Sequence, residues 1–575
     1  MEQKKSTTPR PGDPGSQSVQ QGILYSYNEI LTEAVEEYLE NLDRTAIPKP
    51  NEIERQLLAL TKLKLDDQNM SRQKKDALPI PKQLTFAQVA RILIELHRVV
   101  RIAPSGKNTD RDYDLLAIYM DSGDDEGIYV TSEDQIRSIA RQYDRQLTIN
   151  GAREVMTVLR EDAPRVIRSA DPDLIAVNNG IFDYRTKRLE PFDPRHVFLS
   201  KSRVDYDPQA ANPVIASTRP GVPDWDVESW MQELSDDPEV VELLWEILGA
   251  IIRPHVSWNK SAWFYSEQGN NGKGTLCELM RNLTGPNSYA SIPIADFGKD
   301  FLLEPLTRAS AIIVDENDVG TFIDRAANLK AVITNDVISI NRKYKMPIAY
   351  QFYGFMVQCL NEFPRIKDKS ESFYRRQLFV PFEKSFTGVE RKEIKDDYLQ
   401  RPEVLRYVLK RVLHMDYHEL SEPAATQRVL NEYKEFNDPV RSFWEEFCEQ
   451  FVWDLLPFPF LYDLYKSWFA RTNPSGSPVG RNMFISDLLA IVRKSPTWYC
   501  TDKTAKIRPA ARMSKPEPLI ALYDLKDWMN DAYAGKDHDK LCTPFPLALN
   551  YRGIQRYTAT THISSAGGSD TDDQP

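Results

Sequence analysis

Length, composition and charge limit what this chain can be. Its 575 residues leave room for three or more domains, and its hydrophobic content of 41% is ordinary for a globular protein. A formal charge of −11 excludes a uniformly basic nucleic-acid-binding protein. The five cysteines form no C-x-x-C pair, and the seven histidines form no ligand cluster with them, so neither a disulfide framework nor a zinc site is expected. No apolar run approaches the ~20 residues that cross a bilayer and the start lacks a signal-peptide core, which predicts a cytoplasmic protein without membrane contact.

The N-terminal third is predicted to hold a tail and two domains. Residues 1–21 are rich in Pro, Gly, Ser, Thr and Gln and are expected to be disordered. Over residues 22–105, apolar side chains recur at spacings of three and four, which predicts a helical domain. Residues 106–222 are predicted to form an α+β domain that includes a hairpin with its turn at 121–126. The carboxylates of that turn are either ordinary turn residues or a two-metal polymerase site, and we favour the turn because no distant carboxylate-histidine set completes a nucleotidyl-transfer centre.

A glycine-rich loop follows the apolar run at 261–265, and a predicted helix follows the loop. Glycines let backbone N–H groups converge on a phosphate, the helix N-terminus is positive, and Lys273 reaches the terminal phosphates. Two departures from the usual pattern are Glu267 in place of glycine and Gly274 in place of a hydroxyl, which comes one residue later at Thr275. An ordinary strand-turn-helix connection is the alternative. The predicted nucleotide contacts are Gly269, Asn270, Asn271, Gly272, Lys273, Gly274 and Thr275.

Polar residues end two further predicted strands. The strand at 311–314 ends in Asp315, which is suited to hold Mg²⁺, and Glu316, which is suited to orient or deprotonate an attacking water. A strand that runs into a solvated acidic turn is the alternative. The strand at 355–360 ends in Asn361, which is placed to position that water against the γ-phosphate.

Basic residues mark two other segments of the same region. Two alternating runs within 337–351 predict a β-hairpin whose tip carries Arg342, Lys343, Tyr344 and Lys345. Cations with a ring suit single-stranded nucleic acid, whereas a merely soluble tip is the alternative. Farther on, Arg375 and Arg376 precede a strand, either as surface ion-pair partners or as arginine fingers that reach a neighbouring subunit's γ-phosphate.

The C-terminal part is predicted to be mainly helical. Residues 391–435 are expected to form a lid or collar. Three helical patterns within 436–562 predict a winged-helix-like DNA-binding domain, whose last two helices form a helix-turn-helix. Residues 563–575 are polar and predicted to be disordered.

These motifs resemble one family when they are taken together. Their order and spacing are similar to those of superfamily 3 helicases, and more narrowly to the primase-helicase proteins of phages, plasmids and poxviruses. The segments 173–184 and 198–201 resemble the domain that precedes the ATPase in that family. The motifs that carry the resemblance are Gly269-Asn-Asn-Gly-Lys-Gly-Thr275, Ile313-Val-Asp-Glu316, Arg342-Lys-Tyr-Lys345, Asn361-Glu-Phe-Pro-Arg365 and Phe373-Tyr-Arg-Arg376.

The resemblance implies an α/β fold with an AAA+ P-loop ATPase core at 223–390 and a hexameric ring around DNA. ATP and Mg²⁺ are the implied cofactors. The implied catalytic residues are Lys273 on the β- and γ-phosphates, Glu316 on the water, Asn361 as sensor, and Arg375 or Arg376 as the finger in trans. The implied metal residue is Asp315, with either Thr275 or water in place of the family's hydroxyl. The implied DNA contacts are Arg342, Lys343 and Lys345, with Lys343 or Lys345 tracking the strand.

The resulting expectation is an ATP-hydrolysing DNA helicase that acts in replication initiation of a phage or other mobile element, in a bacterial host's cytoplasm. Single- and double-stranded DNA, other copies of the chain and a separate primase or polymerase are the expected partners. Two alternatives stay open: an origin-binding initiator that binds ATP without efficient turnover, and a primase-helicase with an unrecognised primase region.

Overall fold

The protein has a mixed α/β fold with several separate sheets. The computed structural model describes residues 25–105, 110–217, 220–343, 345–472 and 477–557. The predicted disordered tails at 1–21 and 563–575 lie outside these residues. None of the described helices combines the length and the apolar character that crossing a membrane requires.

The N-terminal region packs five helices against a four-stranded sheet of order β3-β2-β1-β4. The elements are α1 Tyr27–Glu40, α2 Pro50–Met70, α3 Phe86–His97, β1 Val100–Ala103, β2 Leu115–Tyr119, β3 Tyr129–Val130, α4 Glu133–Tyr143, α5 Ile149–Asp162 and β4 Arg165–Ile167. Strands β2 and β3 form the hairpin that the sequence predicts. The domain boundary expected at residue 105 falls inside this region, because β1 pairs with both β2 and β4.

An antiparallel meander and two helices lead to the central sheet. Their bounds are β5 Leu174–Val177, β6 Gly180–Asp183, β7 Arg188–Glu190, α6 Val227–Glu233 and α7 Pro238–Ile252. Helix α7 is apolar on most of its surface and lies buried in the core that it shares with α6 and with the meander.

The central sheet has five parallel strands in the order β16-β8-β14-β10-β9. Its region comprises β8 Ser261–Tyr265, α8 Lys273–Thr284, β9 Tyr289–Ala290, β10 Ala311–Val314, β11 Phe322–Ile323, α9 Ala327–Ile333, β12 Val337–Arg342, β13 Lys345–Gln351, β14 Phe355–Leu360, β15 Arg365–Ile366, α10 Glu371–Tyr374 and β16 Gln377–Pro381. Both faces are covered, which explains why the strands read as continuous apolar runs. Ala262 and Phe264 pack into the core with α7 and α8, while Trp263 packs into the opposite core with α9.

Helices and a small sheet complete the chain. After β16 come α11 Lys392–Asp396, α12 Pro402–Leu413 and α13 Ala424–Asn437. The C-terminal region has its own apolar core and a three-stranded antiparallel sheet of order β17-β19-β18. Its elements are α14 Pro439–Phe447, β17 Leu455–Pro457, α15 Phe458–Thr472, α16 Arg481–Val492, β18 Trp498–Tyr499, α17 Leu519–Leu522, α18 His538–Leu541 and β19 Gly553–Arg556.

Candidate nucleotide-binding site

The glycine-rich loop holds Lys273 at the carboxyl edge of the central sheet. Gly272 has φ of +89°, a left-handed conformation that favours glycine, and a Cβ there would lie 2.7 Å from a terminal methyl of Leu234, which would have to shift. The Lys273 side chain is buried, and its Nζ donates to Asn361 Oδ1 at 2.9 Å and to the carbonyl oxygens of Ser266 and Leu360 at 3.2 Å. Burial lowers the pKa of Lys273. Among the described residues it has no carboxylate partner, which leaves its charge available to an anionic ligand.

Two asparagines end neighbouring strands but have different surroundings. Asn361 follows β14 and is exposed apart from its bond to Lys273. Asn317 lies just beyond β10 and is buried; it accepts from the backbone N–H of Ile294 at 2.9 Å and donates to Gln358 Oε1 at 2.9 Å. Asn317 therefore ties the segment after β10 to β14 and to Ile294, whereas Asn361 lies where a ligand of Lys273 would lie.

Asp315 and Glu316 lie at the end of β10, on the same edge as Lys273. The Asp315 carboxylate forms a two-bond ion pair with Arg281 of α8, with distances of 2.9 Å from Nη2 to Oδ1 and 3.2 Å from Nη1 to Oδ2. This pairing lowers the pKa of Asp315. Glu316 is exposed beside it. The edge thus presents a buried cation, an ion-paired carboxylate and an exposed carboxylate.

The first turn of α8 determines which residues could hold a metal ion beside Asp315. A Cβ built on Gly274 would meet no heavy atom within 4 Å, so this position leaves open space. Successive helical residues differ by about 100°, which puts Gly274 on the stripe of Arg281, seven residues on, and turns Thr275 away from it. Thr275 instead lines a cavity on the other side. Asp315 together with water in the space at Gly274 would suit Mg²⁺, because this ion keeps several waters when it binds beside phosphates. Thr275 is turned away from Asp315 and is not placed to join it.

That cavity has a volume of about 260 Å³ and adjoins the loop. Its lining combines loop residues with apolar side chains from α6, α11 and the segment between β16 and α11. Among the lining residues are Asn270 and Thr275 of the loop region and the apolar side chains of Trp230, Phe386, Val389 and Ile394. Glu267, an unexpected carboxylate in such a loop, is exposed and accepts a hydrogen bond from the Tyr265 hydroxyl at 3.0 Å, which draws its charge toward that ring.

Arg375 and Arg376 lie at the opposite edge of the sheet. They immediately precede β16, and the carbonyl of Arg376 accepts from the N–H of Ser261, the first residue of β8. A five-residue strand spans roughly 15 Å, so neither arginine is near Lys273 of its own chain. Arg376 donates to the Ser372 hydroxyl at 3.0 Å, whereas Arg375 is exposed and pairs with no carboxylate of the described chain.

The predicted hairpin is formed by β12 and β13. Arg342 donates through Nε and Nη2 to the carbonyl of Met346, at 3.2 and 3.0 Å, and so bridges the two strands. Lys343 is exposed at the tip. Tyr344 and the side chain of Lys345 lie outside the described part of the chain.

The acidic turn at 121–126 is a structural turn in this protein. Asp125 pairs with Arg203, and the same arginine donates to the carbonyl of Asp124. Within the residues that the structure describes, no group of three or more His, Cys, Asp or Glu side chains is arranged to hold a metal ion.

Two features of the site were missed by the sequence analysis. Arg281 follows Lys273 by two helical turns, with Cys277 between them on the same stripe, so helical spacing alone would have placed it facing the sheet. The cavity had no such signal, because its apolar lining comes from three separate segments.

Three segments of the chain match known protein families. Residues 122–236 match the family described as D5 N terminal like, and residues 435–528 match the family described as Poxvirus D5 protein-like. Residues 264–376, which contain the loop, β10 and Asn361, match a family of unknown function, DUF5906.

Solved structures of one protein region are also similar to the chain. "The A form apo structure of NrS-1 C terminal region-CTR" has 13% identity, covers 70% of this chain and 86% of that chain, and has a TM-score of 0.37. "The apo structure of NrS-1 C terminal region (305-718)" has 12% identity, coverages of 74% and 97%, and a TM-score of 0.40. "The A form apo structure of NrS-1 C terminal region-CTR(305-718)" has 15% identity, coverages of 73% and 97%, and a TM-score of 0.41. The D5-type matches on both sides of the central sheet support the resemblance to D5-like proteins of phages and poxviruses that the sequence predicts.

Proposed function

We propose that this protein is an ATP-driven, hexameric superfamily 3 DNA helicase with an AAA+ core, which acts in replication initiation of a phage or other mobile element. The observation that carries the proposal is the 2.9 Å contact between Lys273 Nζ and Asn361 Oδ1 at the carboxyl edge of a parallel sheet. Open α/β sheets bind their ligands at that edge. The D5-type matches support a role in replication.

ATP would bind with its phosphates at the loop. The backbone N–H groups of the loop and the N-terminus of α8 would contact phosphate oxygens, and Lys273 would exchange its neutral oxygen partners for the β- and γ-phosphates. The adjoining cavity suits the nucleoside, because Trp230, Phe386, Val389 and Ile394 supply apolar surface beside the loop.

Hydrolysis would be an in-line attack by water on the γ-phosphate. Glu316 is the exposed carboxylate that would orient the water and accept its proton, and Asn361 would hold the water in position. Mg²⁺, held by Asp315 and water, would neutralise phosphate charge when bound with ATP. Arg375 or Arg376 would stabilise the transition state in a neighbouring subunit, since both lie at the edge of the sheet opposite the phosphate loop of their own chain.

One observation favours a second candidate function. The Arg281 ion pair occupies the Asp315 carboxylate, and Gly274 offers no hydroxyl in compensation. A site with a weakly held metal would bind ATP and turn it over slowly. The second candidate is therefore an origin-binding initiator that uses ATP as a switch. The primase-helicase alternative would need the turn at 121–126 to bind metal, and there Asp125 is paired with Arg203.

The test is ATP hydrolysis measured with and without single-stranded DNA. We expect DNA to stimulate the wild-type protein, Lys273→Ala to abolish hydrolysis, and the double variant Lys343→Ala with Lys345→Ala to lose only the stimulation. Lys74→Ala with Lys75→Ala is the matched control, because both lysines are exposed on the distant N-terminal region. A wild-type protein that binds ATP but barely hydrolyses it with any DNA would reject the helicase and support the initiator.

A further inference from the structure

The short helix before Arg375, together with the turn that leads into it, is held by ion pairs from three other elements. Helix α10 has four residues, too few to be stable through its own hydrogen bonds. Lys330 of α9 pairs with Asp368 at 2.6 Å, and Lys434 of α13 pairs with Glu371 at 3.2 Å. Tertiary contacts therefore fix the backbone that presents Arg375, while the arginine itself is exposed.

The third ion pair comes from the C-terminal region. Lys369 Nζ lies 3.6 Å from Oδ2 of Asp487 on α16, and both side chains are half-buried. This Oδ2 atom is buried and has no hydrogen-bond partner among the described residues, so the charge of Lys369 compensates it. Lys369 immediately precedes Ser370, the N-cap of α10. The C-terminal region thus contacts the chain at the point where α10 begins.

This ion pair joins two separately packed parts of the protein. On α10, Phe373 is buried in the core between the central sheet and α9. On α16, Leu488 is buried in the core of the C-terminal region. Because each partner is attached to an element that is fixed in its own core, a movement of one region relative to the other changes the distance between the two charges. The pair therefore links the position of α16 to that of α10.

Backbone hydrogen bonds lead from this pair to Arg375. The carbonyl of Ser370 accepts from the N–H of Tyr374 at 3.2 Å, and the carbonyl of Glu371 accepts from the N–H of Arg375 at 3.1 Å. The six steps from Lys369 to Arg375 cover only about 9 Å at the helical rise. A displacement of Lys369 therefore displaces the backbone of Arg375.

We infer that Asp487 of the C-terminal region is a positioning residue for Arg375, which it affects through Lys369 and α10. The inference rests on the proposed function, because Arg375 contributes to hydrolysis only if it reaches the γ-phosphate of a neighbouring subunit. It adds that the seating of the C-terminal region against α10 controls hydrolysis in that neighbour. A group that is held loosely loses rate even when its own chemistry is intact.

The first measurement is hydrogen–deuterium exchange of the full chain, which needs no ATP turnover. We expect Asp487→Asn to speed exchange of the amides of residues 373–376 by about fivefold, because it removes the charge that holds Lys369. The amides of β16 should keep their rates, since β16 pairs with β8. Asp524→Asn is the matched control, because Asp524 pairs with Lys526 at 3.7 Å within the C-terminal region.

The second measurement is steady-state ATP hydrolysis in the presence of single-stranded DNA. Asp487→Asn should lower kcat by about fivefold and leave the KM for ATP unchanged, because the loop that binds ATP is intact in every subunit. In an Arg375→Ala background the same substitution should have no further effect, since its route to the reaction has been removed. Exchanging the charges, with Asp487→Lys and Lys369→Asp together, should restore part of kcat.

Three results would overturn the inference alone. They are unchanged exchange and kcat in Asp487→Asn while Arg375→Ala abolishes hydrolysis, an equal change in Asp524→Asn, and a further loss of kcat when Asp487→Asn is added to Arg375→Ala. If Asp487→Asn speeds exchange throughout the chain, Lys369→Gln decides, because it removes the same ion pair from the other side. A wild-type chain that hydrolyses no ATP, or an Arg375→Ala variant as active as the wild type, would reject the proposed role of Arg375 and the inference with it.

Discussion

The two edges of the central parallel sheet differ in whether their functional side chains have partners within the same chain. At the carboxyl edge, Lys273 contacts Asn361, and Asp315 contacts Arg281, all within a single chain. At the amino edge, Arg375 extends into solvent without a carboxylate partner among the described residues. One edge is therefore assembled by folding alone, whereas the other displays a cation that its own chain does not use.

This difference separates two kinds of functional residue. Residues at the carboxyl edge have neighbours that explain where they lie, so their substitution tests chemistry inside one subunit. An exposed arginine about 15 Å from the phosphate loop has a role in hydrolysis only if another subunit presents its loop there. The comparison thus predicts which variants act in cis and which act in trans.

The largest expected effect is the loss of Arg375. Arg375→Ala should lower ATP hydrolysis by about a thousandfold, because an arginine finger stabilises charge in the transition state. Arg376→Ala should have a smaller effect on hydrolysis, because its guanidinium is bonded to Ser372 and serves the fold. Steady-state hydrolysis at saturating ATP measures both.

Mixing the variants tests the trans assignment directly. Subunits with Arg375→Ala keep an intact loop, and subunits with Lys273→Ala keep an intact Arg375. A mixed ring therefore contains some complete sites, and part of the activity should return. If no mixture recovers activity, Arg375 does not act on the nucleotide site of a neighbouring subunit.

The two asparagines provide the next test. Asn361→Ala should lower hydrolysis by roughly a hundredfold and leave the free energy of unfolding unchanged, because Asn361 is exposed and, among the described residues, its side chain bonds to Lys273 alone. Asn317→Ala should instead cost about 1–3 kcal/mol of stability, because it leaves the buried N–H of Ile294 and the side-chain oxygen of Gln358 without this partner. Chemical denaturation together with hydrolysis separates the two. Equal effects of both substitutions on stability would remove the distinction.

Loss of the ion pair between Arg281 and Asp315 should have a smaller effect, a change of about tenfold in the affinity for Mg²⁺. Arg281→Met removes the competing cation from Asp315, so nucleotide binding should need less Mg²⁺. The measurement is a Mg²⁺ titration of fluorescent ATP binding in a Glu316→Gln background, where hydrolysis does not interfere. Arg195→Met is the control, because Arg195 pairs with Asp193 on the distant surface. A higher Mg²⁺ requirement would show that Arg281 orients Asp315 instead of competing for it.

Much of the carboxyl edge was predictable because its signals are local. The loop glycines, the apolar strand before them and the helix after them lie within 25 residues of sequence, and each has a distinct spacing. The same holds for the ends of β10 and β14. Parallel strands bring those ends to one edge, which explains why Lys273, Asp315 and Asn361 were found together.

The parts that were missed depend on tertiary contacts. The pairing of the Asp315 carboxylate is set by Arg281, which is 34 residues away in sequence. The cavity beside the loop is made by α6, α11 and the segment that follows β16, and none of these has a motif of its own. The direction of Thr275 was within reach, because helical geometry alone turns it away from Gly274.

A titration at the amino edge gives the smallest expected effect. His255 lies just before β8, enclosed by Phe198 and Tyr353 and facing Arg168, with Asp171 as the nearby acid. Burial, with Arg168, lowers the pKa of His255 to about 4 from its ordinary 6.5. Between pH 6.5 and about pH 4, the unfolded chain therefore binds a proton at His255 that the folded chain does not. The free energy of unfolding falls as the pH falls through this range.

We expect the free energy of unfolding to drop by about 1 kcal/mol between pH 7 and about pH 5.5 because of this residue. His255→Phe keeps a ring against Tyr353 and should remove that part of the pH dependence, while the exposed His538→Phe should keep it. Chemical denaturation at the two pH values measures the change. If His255→Phe retains the full pH dependence, the acid-sensitive contact lies elsewhere than at this edge.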